Sequence, residues 1–437
     1  MDREGVRLRK VLNAALGAAI VVGGSIGLGI LSIPGIVASK LGDPLLILSA
    51  WVAGGLLALL GANIYAELGT AFPRAGGPYV YVNRAIGPFS GFVTGWSDSA
   101  VNVIASAAQA SAIGVYLEND VLDHRAIAVA VLLILLGLNW FGLRVGARSQ
   151  QALSLLKVGA LVLLALFCLA IGGFQPPSMT HSSLGALSLS AWIGAVMLVS
   201  ETYAGWNSSV YFTEEDKDSS RNVPRALYWG IGAMMGAYLL VNAGFLSVLP
   251  MAEFSASSLP AGDAAARIFG SDAGAIVKSL AVVSLIGIVN VGVMCAPRIS
   301  FAMSRDGALP TRFQAINRFG TPSWGLIAYV APAMGLVMLK SFDFLFTVTA
   351  FLGVAINAAV YLAFFVLRRT APEIRRPYVA RWYPWAPGLV LVISTILLVS
   401  SLIADPEPAL WAICAIALSW PAYRMLSGKP HRTSPPG

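Results

Sequence analysis

The sequence is poor in charge: only 11% of its 437 residues are Asp, Glu, Lys or Arg, whereas 57% are hydrophobic. Its mean hydropathy of +0.75 exceeds that of a soluble domain. The core of a soluble protein of this size could not bury so many apolar side chains. The basic residues that produce the net charge of +8 are scattered over short loops. We therefore expect an all-α polytopic membrane protein whose basic loops contact lipid headgroups, and no nucleic-acid partner.

Cysteine and histidine are also scarce, with three residues of each. Cys168, Cys295 and Cys414 lie inside apolar runs, so we interpret them as small core residues rather than as a disulfide framework. The histidines lie in loops, and none has a second His, Cys or carboxylate at an obvious metal-binding spacing. No Ser/His/Asp cluster or pair of catalytic carboxylates is recognisable either. The sequence therefore predicts no metal, no cofactor and no enzyme activity.

What the chain does contain is a series of apolar runs bounded by Pro, Gly or charge. The predicted spans are residues 12–39, 44–72, 88–118, 125–142, 149–173, 188–213, 226–249, 274–304, 323–340, 343–367, 387–403 and 407–425. With both termini inside, 23 of the 29 Lys and Arg residues fall on the inner side and five on the outer side, as the positive-inside rule requires. We predict twelve transmembrane helices in the cell membrane, with cytoplasmic ends at 1–11 and 426–437. The outer connection 250–273 is predicted to carry a short surface helix, a candidate lid.

Three glycines interrupt the first span: Gly24, Gly27 and Gly29 lie about 20 Å from its start, near the bilayer midplane. Each disfavours helix by roughly 1 kcal/mol relative to alanine. Non-helical backbone at that depth is tolerated only where protein buries it or where it lines a cavity. The pattern favours a broken helix whose free N–H and C=O groups hold a substrate or ions. Close helix packing through small residues is the alternative.

A second irregular stretch, 201–207, lies at a matching depth in the sixth span. Two midplane breaks five helices apart indicate an inverted repeat of five helices in 12–173 and five in 188–367, followed by two helices in 387–425. The binding site is then expected at the interface between the repeats. The polar continuation 213–225 is interpreted as a solvated helix end and charged loop.

Two ionisable residues lie close to the predicted breaks. Lys157 either extends to the cytoplasmic interface or places its ammonium beside the first break, where its titration would couple transport to protons. Glu201 adjoins the second break and has three possible roles: binding a substrate amine, carrying a proton, or pairing with a lysine.

Two other acids lie deeper in the predicted bundle. Asp98, in the third span, either faces the same cavity or hydrogen-bonds to a nearby Ser or Asn. Glu67, near the inner end of the second span, is interpreted as a gate or as half of a structural ion pair.

Four separated stretches resemble the amino acid–polyamine–organocation permeases, most closely their L-type amino acid transporter-like branch. They are residues 23–31, 66–79, 203–226 and 297–310, in the order that the family has them. The resemblance implies the twelve-helix fold with a five-plus-five inverted repeat and broken helices 1 and 6. It also implies secondary active transport of amino acids or related amines by alternating access.

The resemblance further implies a binding site. In that family, N–H groups of the helix 1 break hold the substrate carboxylate, and carbonyls of helices 1 and 6 hold the amine. The corresponding residues here are Ser25, Ile26, Gly27, Leu28 and Gly29 in the first break, and Glu201, Thr202, Tyr203, Ala204, Gly205 and Trp206 in the second. A lysine matching Lys157 replaces sodium in many members, which implies sodium independence. We assign Lys157 and Glu201 to coupling, and Glu67 and Trp206 to gates.

Two residues depart from the family pattern. Leu28 stands where the family has a small residue, which narrows the carboxylate site. Glu201 stands where the L-type branch commonly has an aromatic gate, which favours a cationic or amine-bearing substrate or an added proton site. The outer stretch 118–125 lacks the cysteine through which animal L-type transporters join a heavy chain, so we predict no disulfide-linked partner. We expect sodium-independent exchange or proton symport of amino acids; the alternative is transport of polyamines or other organic amines.

Overall fold

The regular structure is helical throughout the computed structural model, which describes residues 8–118, 121–173, 188–339, 342–404 and 406–426. The α-helices are α1 (Ala14–Ser25), α2 (Gly29–Leu41), α3 (Pro44–Ala71), α4 (Pro78–Ile86), α5 (Pro88–Leu117), α6 (His124–Trp140), α7 (Leu143–Gly172), α8 (Leu189–Thr202), α9 (Ser219–Val248), α10 (Met251–Ala256), α11 (Pro260–Phe269), α12 (Ala273–Arg305), α13 (Ser323–Leu339), α14 (Phe342–Thr370), α15 (Trp385–Ala404), α16 (Pro406–Ala417) and α17 (Ser419–Leu426). Short 3₁₀ helices span Ser208–Glu215, Gly270–Asp272 and Thr311–Gln314.

The predicted spans correspond to these helices. Within the described chain, eight helices are long and apolar enough to cross a membrane, and the bent pair α1–α2 forms a further span. Three shorter apolar helices, α6, α8 and α13, complete the predicted set of twelve. The chain is thus an integral, multi-pass membrane protein, and the predicted all-α fold class is confirmed.

Helices α7 and α9 begin earlier than predicted, at Leu143 rather than 149 and at Ser219 rather than 226. The prediction used apolarity, which marks the membrane-embedded part of a helix, whereas backbone hydrogen bonding continues through the polar turns beyond it. Other boundaries follow local capping. Asp43, for example, begins α3 by accepting hydrogen bonds from the N–H groups of Leu45 and Leu46.

Both predicted breaks are present. α1 and α2 are bent by 55° across residues 26–28. α8 ends at Thr202, and irregular turns lead to the 3₁₀ helix Ser208–Glu215. Gly205 lies in this second break with φ at +93°, a conformation that L side chains rarely adopt.

The helices pack as two groups. The first helix group is α1, α2, α3, α8 and α9, with α8 packing against α2 and α3. The second helix group is α5, α6, α12 and α13, in which α5 packs against the other three. α7 packs against α1 and α9 on one side and α12 on the other, so it bridges the groups. The 3₁₀ helix Ser208–Glu215 packs against α1, α3 and α9 and also contacts α12.

The long helices end at two opposite faces of the molecule. The basic face is the end where α3 and α12 terminate, at Ala71 and Arg305; the opposite face is the end where α5 terminates, at Leu117. The outer connection 250–273 does contain short helices, α10 and α11, at the opposite face; their role as a lid stays a prediction.

Some predictions are corrected or lie outside the structure. Cys168 and Cys295 are buried, but Cys414 is exposed, so its interpretation as a core residue was wrong. Most of the predicted termini 1–11 and 426–437 lies outside the described residues, as do 174–187. The boundaries of the repeats, 12–173 and 188–367, stay predictions.

Candidate functional site

The two helix breaks lie directly against each other. A methyl group on Gly205 would overlap the carbonyl oxygen of Gly24, and one on Gly29 would lie 2.9 Å from Cγ2 of Thr202. Glycine therefore permits a close approach of backbone to backbone at Gly205 and of backbone to side chain at Gly29. The alternative interpretation of the glycines as helix-packing residues therefore describes part of their role. They interrupt the first helix, and they also allow the second break to pack closely against it.

The first break exposes free backbone donors. Ile26 N–H still bonds to the Val22 carbonyl, whereas the N–H groups of Gly27 and Leu28 donate no hydrogen bond to any described residue. These groups precede the first turn of α2, whose N-terminus carries partial positive charge. Ser25 is buried, and its hydroxyl donates to the Val21 carbonyl. The break is therefore suited to an anionic group such as a carboxylate.

Lys157 lies at the first break and not at an interface. It is fully buried on α7, and its Nζ donates to the carbonyl oxygens of Gly23 (2.9 Å) and Ile26 (2.8 Å). The ammonium thus satisfies carbonyls that the interrupted helix leaves without partners, and it fixes α1 to α7. It forms no ion pair with Glu201 in the described structure, which argues against that alternative for the acid.

A buried chain of amide and hydroxyl side chains that sequence analysis missed lies beside this lysine, without a hydrogen bond to it in the described structure. The amide of Gln150 donates to Ser154 Oγ (3.3 Å), which in turn donates to the carbonyl of Ala19 in α1 (2.8 Å). Gln150 Oε1 accepts from Asn290 on α12 (2.8 Å), whose Oδ1 accepts from Asn139 on α6 (2.8 Å). The sequence does show polar residues within apolar spans, which is a signal for such a chain. It does not show which of them bond to one another, because the bonded groups lie on four different helices.

Glu201 faces away from the packed side of α8. The buried residues of this helix, including Val196 and Val199, contact its neighbours, whereas Glu201 and Ala204 are exposed. No described residue pairs with the Glu201 carboxyl. A charged group exposed at this depth is stable only when it faces a water-filled cavity or a ligand.

The two aromatic residues of the second break are packed into the protein. The Tyr203 hydroxyl donates to the Trp51 carbonyl, and its ring contacts that of Tyr238 at 5.0 Å between centroids. Trp206 contacts Tyr65 edge-to-face at 5.0 Å. Thr202 is buried, and its carbonyl accepts from the Tyr238 hydroxyl. These contacts fit packing residues; the gate role of Trp206 stays a prediction.

Sequence comparison assigns the chain with these two breaks to a known family. A family model described as "Amino acid permease" matches residues 16–418. This chain belongs to the amino acid permease family. The permease is 28% identical over 417 residues to the serine/threonine exchanger SteT of Bacillus subtilis (strain 168), covering 93% of this chain and 94% of that protein.

Two animal proteins are similar to the permease at comparable identity. The mouse Asc-type amino acid transporter 1 is 27% identical over 426 residues, covering 92% of this chain and 78% of its own length. The human large neutral amino acids transporter small subunit 2 is 28% identical over 454 residues, covering 98% and 80%. These relatives are transporters and not enzymes, in agreement with the prediction.

Asp98 and Glu67, the two other acids that the sequence analysis singled out, each have side-chain partners. Both carboxyl oxygens of Asp98 lie within hydrogen-bond distance of the Tyr211 hydroxyl, and one also accepts from Asn102 at 3.2 Å. Glu67 is buried and pairs with Arg368 and with Arg376, the latter at 3.0 Å. The structural-pair interpretation describes the contacts of Glu67, and its gate role stays a prediction.

The basic face holds a buried ion pair. Nε and Nη2 of Arg298 on α12 contact the two carboxyl oxygens of Glu215 at 3.0 and 3.1 Å, and both side chains are at most 2% exposed. The Glu215 carbonyl also accepts from the N–H groups of Val11 and Leu12. The continuation 213–225 was predicted to be solvated, and this prediction is wrong for its buried residues Thr213, Glu215, Asp216, Val223 and Pro224. Tertiary packing covers the first three of these residues, because α12 and the segment before α1 lie over them.

More exposed ion pairs surround this buried one. Arg305 pairs with Glu214 at 2.7 Å, and Arg74 pairs with Asp306 at 2.8 Å. Glu214 also accepts from the N–H of Ala75. Beside them, burial raises the pKa of Asp216 from its ordinary value, against the opposing effect of the hydrogen bond that Asn222 donates. These contacts close the basic face.

The opposite face of the permease is more open. A cavity of about 360 Å³ lies between the two helix groups, a volume within the range of ligand-binding pockets. Its lining includes Leu31 of α2, Tyr116 of α5, and Val277 and Lys278 of α12. Leu31 lies in the first turn of α2, directly after the first break, whereas the residues named above for the two breaks do not line this cavity.

A cluster at the same face corrects one expectation. His124 Nδ1 lies 3.1 Å from carboxyl oxygens of both Glu118 and Asp123, so carboxylates do stand at metal-binding distance from a histidine. The three side chains are at the surface, and Asp123 also accepts from the N–H of Arg125 at the start of α6. We assign no metal to this group.

Proposed function

We propose that this permease transports amino acids without sodium, by alternating access through a site between the two helix breaks. The observation that carries the proposal is the contact between the breaks, with free N–H groups in the first and a bound ammonium behind it. Positions 25–29 hold the substrate carboxylate, and the second break, 201–206, lies on the amine side. Substrate specificity within the amino acids depends on the side-chain space around these backbone groups.

Sodium independence follows from the contacts of Lys157. A sodium ion bound at a helix break requires several oxygen ligands, and the carbonyls of Gly23 and Ile26 already accept from the ammonium. When it is protonated, the Lys157 side chain also repels a second cation. We expect Lys157→Ala to lower sodium-free uptake at least tenfold, because both carbonyls lose their donor. Uptake at the wild-type rate by Lys157→Ala would contradict this role.

The orientation is part of the proposal. The positive-inside distribution makes the basic face cytoplasmic, so this conformation is closed toward the cytoplasm and its cavity opens outward. The transport cycle then requires the ion pairs of the basic face to separate while the cavity of the opposite face closes.

Uptake into proteoliposomes tests the function. Labelled serine, threonine, alanine, leucine and putrescine would be compared with and without sodium, with internal unlabelled substrate and with a pH gradient. We expect uptake of amino acids that is independent of sodium and is competed by molecules with a free carboxylate. Failure of every amino acid to be taken up or exchanged would refute the proposal.

A second candidate, transport of amines without a carboxylate, is favoured by Glu201. Its carboxyl is exposed at the second break without a partner in the described chain, so it is available to a cationic group. If it binds a substrate amine group, Glu201→Gln lowers uptake of cationic substrates more than of neutral ones. Equal losses would assign it a proton or structural role. Glu253→Gln, an exposed acid on α10, is the matched control.

A further inference from the structure

Asp98 is a buried acid without a cationic partner. Its side chain lies in the middle of the protein, with the residue 3% exposed, and its described partners are the Tyr211 hydroxyl and the Asn102 amide. The buried acids Glu67 and Glu215 are each paired with arginine. Burying an ionised carboxylate without a cation costs several kcal/mol, which protonation removes. An acid kept in this position within a membrane is expected to have a function.

The hydrogen bond of this acid joins the second helix group to the segment after the second break. Asp98 lies on α5, in the second helix group, and Tyr211 lies on the 3₁₀ helix Ser208–Glu215, which packs against α1, α3 and α9 of the first group and also against α12. The Tyr211 oxygen is 2.9 and 2.8 Å from the two carboxyl oxygens. Separation of the groups at the basic face would break this bond and expose the carboxyl to water.

The other groups around Asp98 do not supply a positive charge. The titratable groups that face it are Tyr211, Tyr65 from α3 and Cys295 from α12. Two buried hydroxyls, Ser97 beside Asp98 and Ser209 near Tyr211, have no hydrogen-bond partner in the described structure. Such hydroxyls are the kind of group that a buried water molecule satisfies.

We propose that Asp98 is the proton-binding carboxyl through which this permease couples transport to a pH gradient. The inference rests on the proposed transport function and adds the coupling ion and its site. The neutral acid fits the closed, cation-free environment, whereas water stabilises the carboxylate once the basic face opens. Opening therefore favours release of the proton from the Asp98 carboxyl to cytoplasmic water, which leaves the carboxylate. After the basic face closes, the carboxylate takes up a new proton from the water at the opposite face, so each cycle moves one proton inward. Proton binding and conformation are thus thermodynamically linked.

The test separates exchange from gradient-driven uptake in proteoliposomes. The probe is labelled L-serine or L-leucine, whichever the wild-type protein exchanges faster. We expect the exchange rate of Asp98→Asn to stay within twofold of wild type. Its substrate accumulation driven by an alkaline interior should be at least tenfold lower than that of wild type. Asp98→Glu should restore part of that accumulation. Asp43→Asn, a buried acid replaced by an equally good helix cap, is the matched control and should keep both activities.

Several results would overturn the inference. Asp98→Asn could accumulate substrate normally, or it could lose exchange and accumulation to the same extent, as a structural residue would. A selective loss of cationic substrates with gradient-driven uptake intact would make Asp98 an amine site instead. Wild-type protein that exchanges amino acids but ignores the pH gradient would overturn the proton site alone. Absence of all amino acid exchange would instead contradict the proposed function.

A second variant covers the case in which Asp98→Asn does not fold. Tyr211→Phe removes the hydroxyl but leaves the carboxyl and the ring. We expect it to shift the pH at which gradient-driven uptake is half-maximal, because the carboxyl loses its interfacial partner, while exchange persists. An unchanged pH profile for Tyr211→Phe would count against the linkage.

Discussion

At the basic face, charged side chains join elements that are far apart in the chain, whereas at the opposite face a cavity separates the same two helix groups. Arg298 reaches Glu215 across 83 positions of sequence, and Arg74 reaches Asp306 across 232. At the opposite face, Arg267 pairs with Glu253, only 14 positions away. Long-range pairs hold the groups together at one end, while short-range pairs at the other end stabilise only local helices.

This difference indicates which contacts stabilise the present conformation. Opening the basic face requires the separation of a buried, bidentate ion pair, the interfacial hydrogen bond of Asp98, and the surface pairs around them. The opposite face opens or closes mainly by moving apolar surfaces around its cavity. The breaks lie between the two faces, and the helical hydrogen bonds missing there no longer join the two halves of each helix rigidly.

The largest expected effect comes from the buried pair. Glu215→Gln leaves the Arg298 guanidinium buried without a counter-charge, which destabilises the closed basic face by about 3–5 kcal/mol. A lower melting temperature in detergent, together with increased labelling of the basic face, would show this. The adjacent Glu214→Gln affects a more exposed pair and should cost at most about 1 kcal/mol. Equal effects of the two variants would refute the comparison.

The next effect concerns the contact between the breaks. Gly205→Ala combines a positive φ, worth about 1–2 kcal/mol, with a methyl group that overlaps the Gly24 carbonyl, worth about 1–3 kcal/mol. We expect loss of uptake at normal membrane expression. Gly159→Ala, at a helical position with open space around it, should keep wild-type uptake and serves as control. Active Gly205→Ala protein would mean that the breaks need not touch.

Chemical labelling compares the two faces directly. In a variant with Cys168 and Cys414 replaced by alanine, Lys278→Cys should react with a membrane-impermeant thiol reagent at least tenfold faster than Cys295. Lys278 is exposed at the cavity, whereas Cys295 is buried beside the carbonyl of Ser208. Adding Glu215→Gln should raise the rate at Cys295. A fast reaction at Cys295 without that change would show an open basic face.

The smallest effect is expected at the opposite face. Arg267→Gln removes one partner of an ion pair whose side chains are about half exposed, and such pairs contribute at most about 1 kcal/mol. Uptake and the labelling rates should stay at wild-type values, and added salt should hide the remaining difference. A large loss of uptake in Arg267→Gln would give the α10–α11 segment a direct part in gating.

Much of the fold could be predicted from the order of residues. Apolar runs located the twelve spans, and clustered glycines located the first break, because both effects act on neighbours in sequence. The position of Lys157 along α7 suggested its depth but left two orientations open. The hydrogen bond of Asp98 with Asn102 was one of the predicted alternatives, because the two residues lie one helical turn apart. Arg376 as a partner of Glu67 and Tyr211 as a partner of Asp98 could not be predicted, because they approach only after the helices pack.

The sequence by itself determined that this chain crosses the membrane, which segments form its helices, and at which residues two of them break. These properties depend on hydropathy, on local helix propensity and on charge at the ends of spans. Tertiary structure alone decided that Gly24 meets Gly205, that Lys157 bonds to the first break, and that Arg298 and Glu215 are buried together. Those contacts join residues from distant parts of the chain, and their energies depend on burial and geometry that only the packed bundle creates.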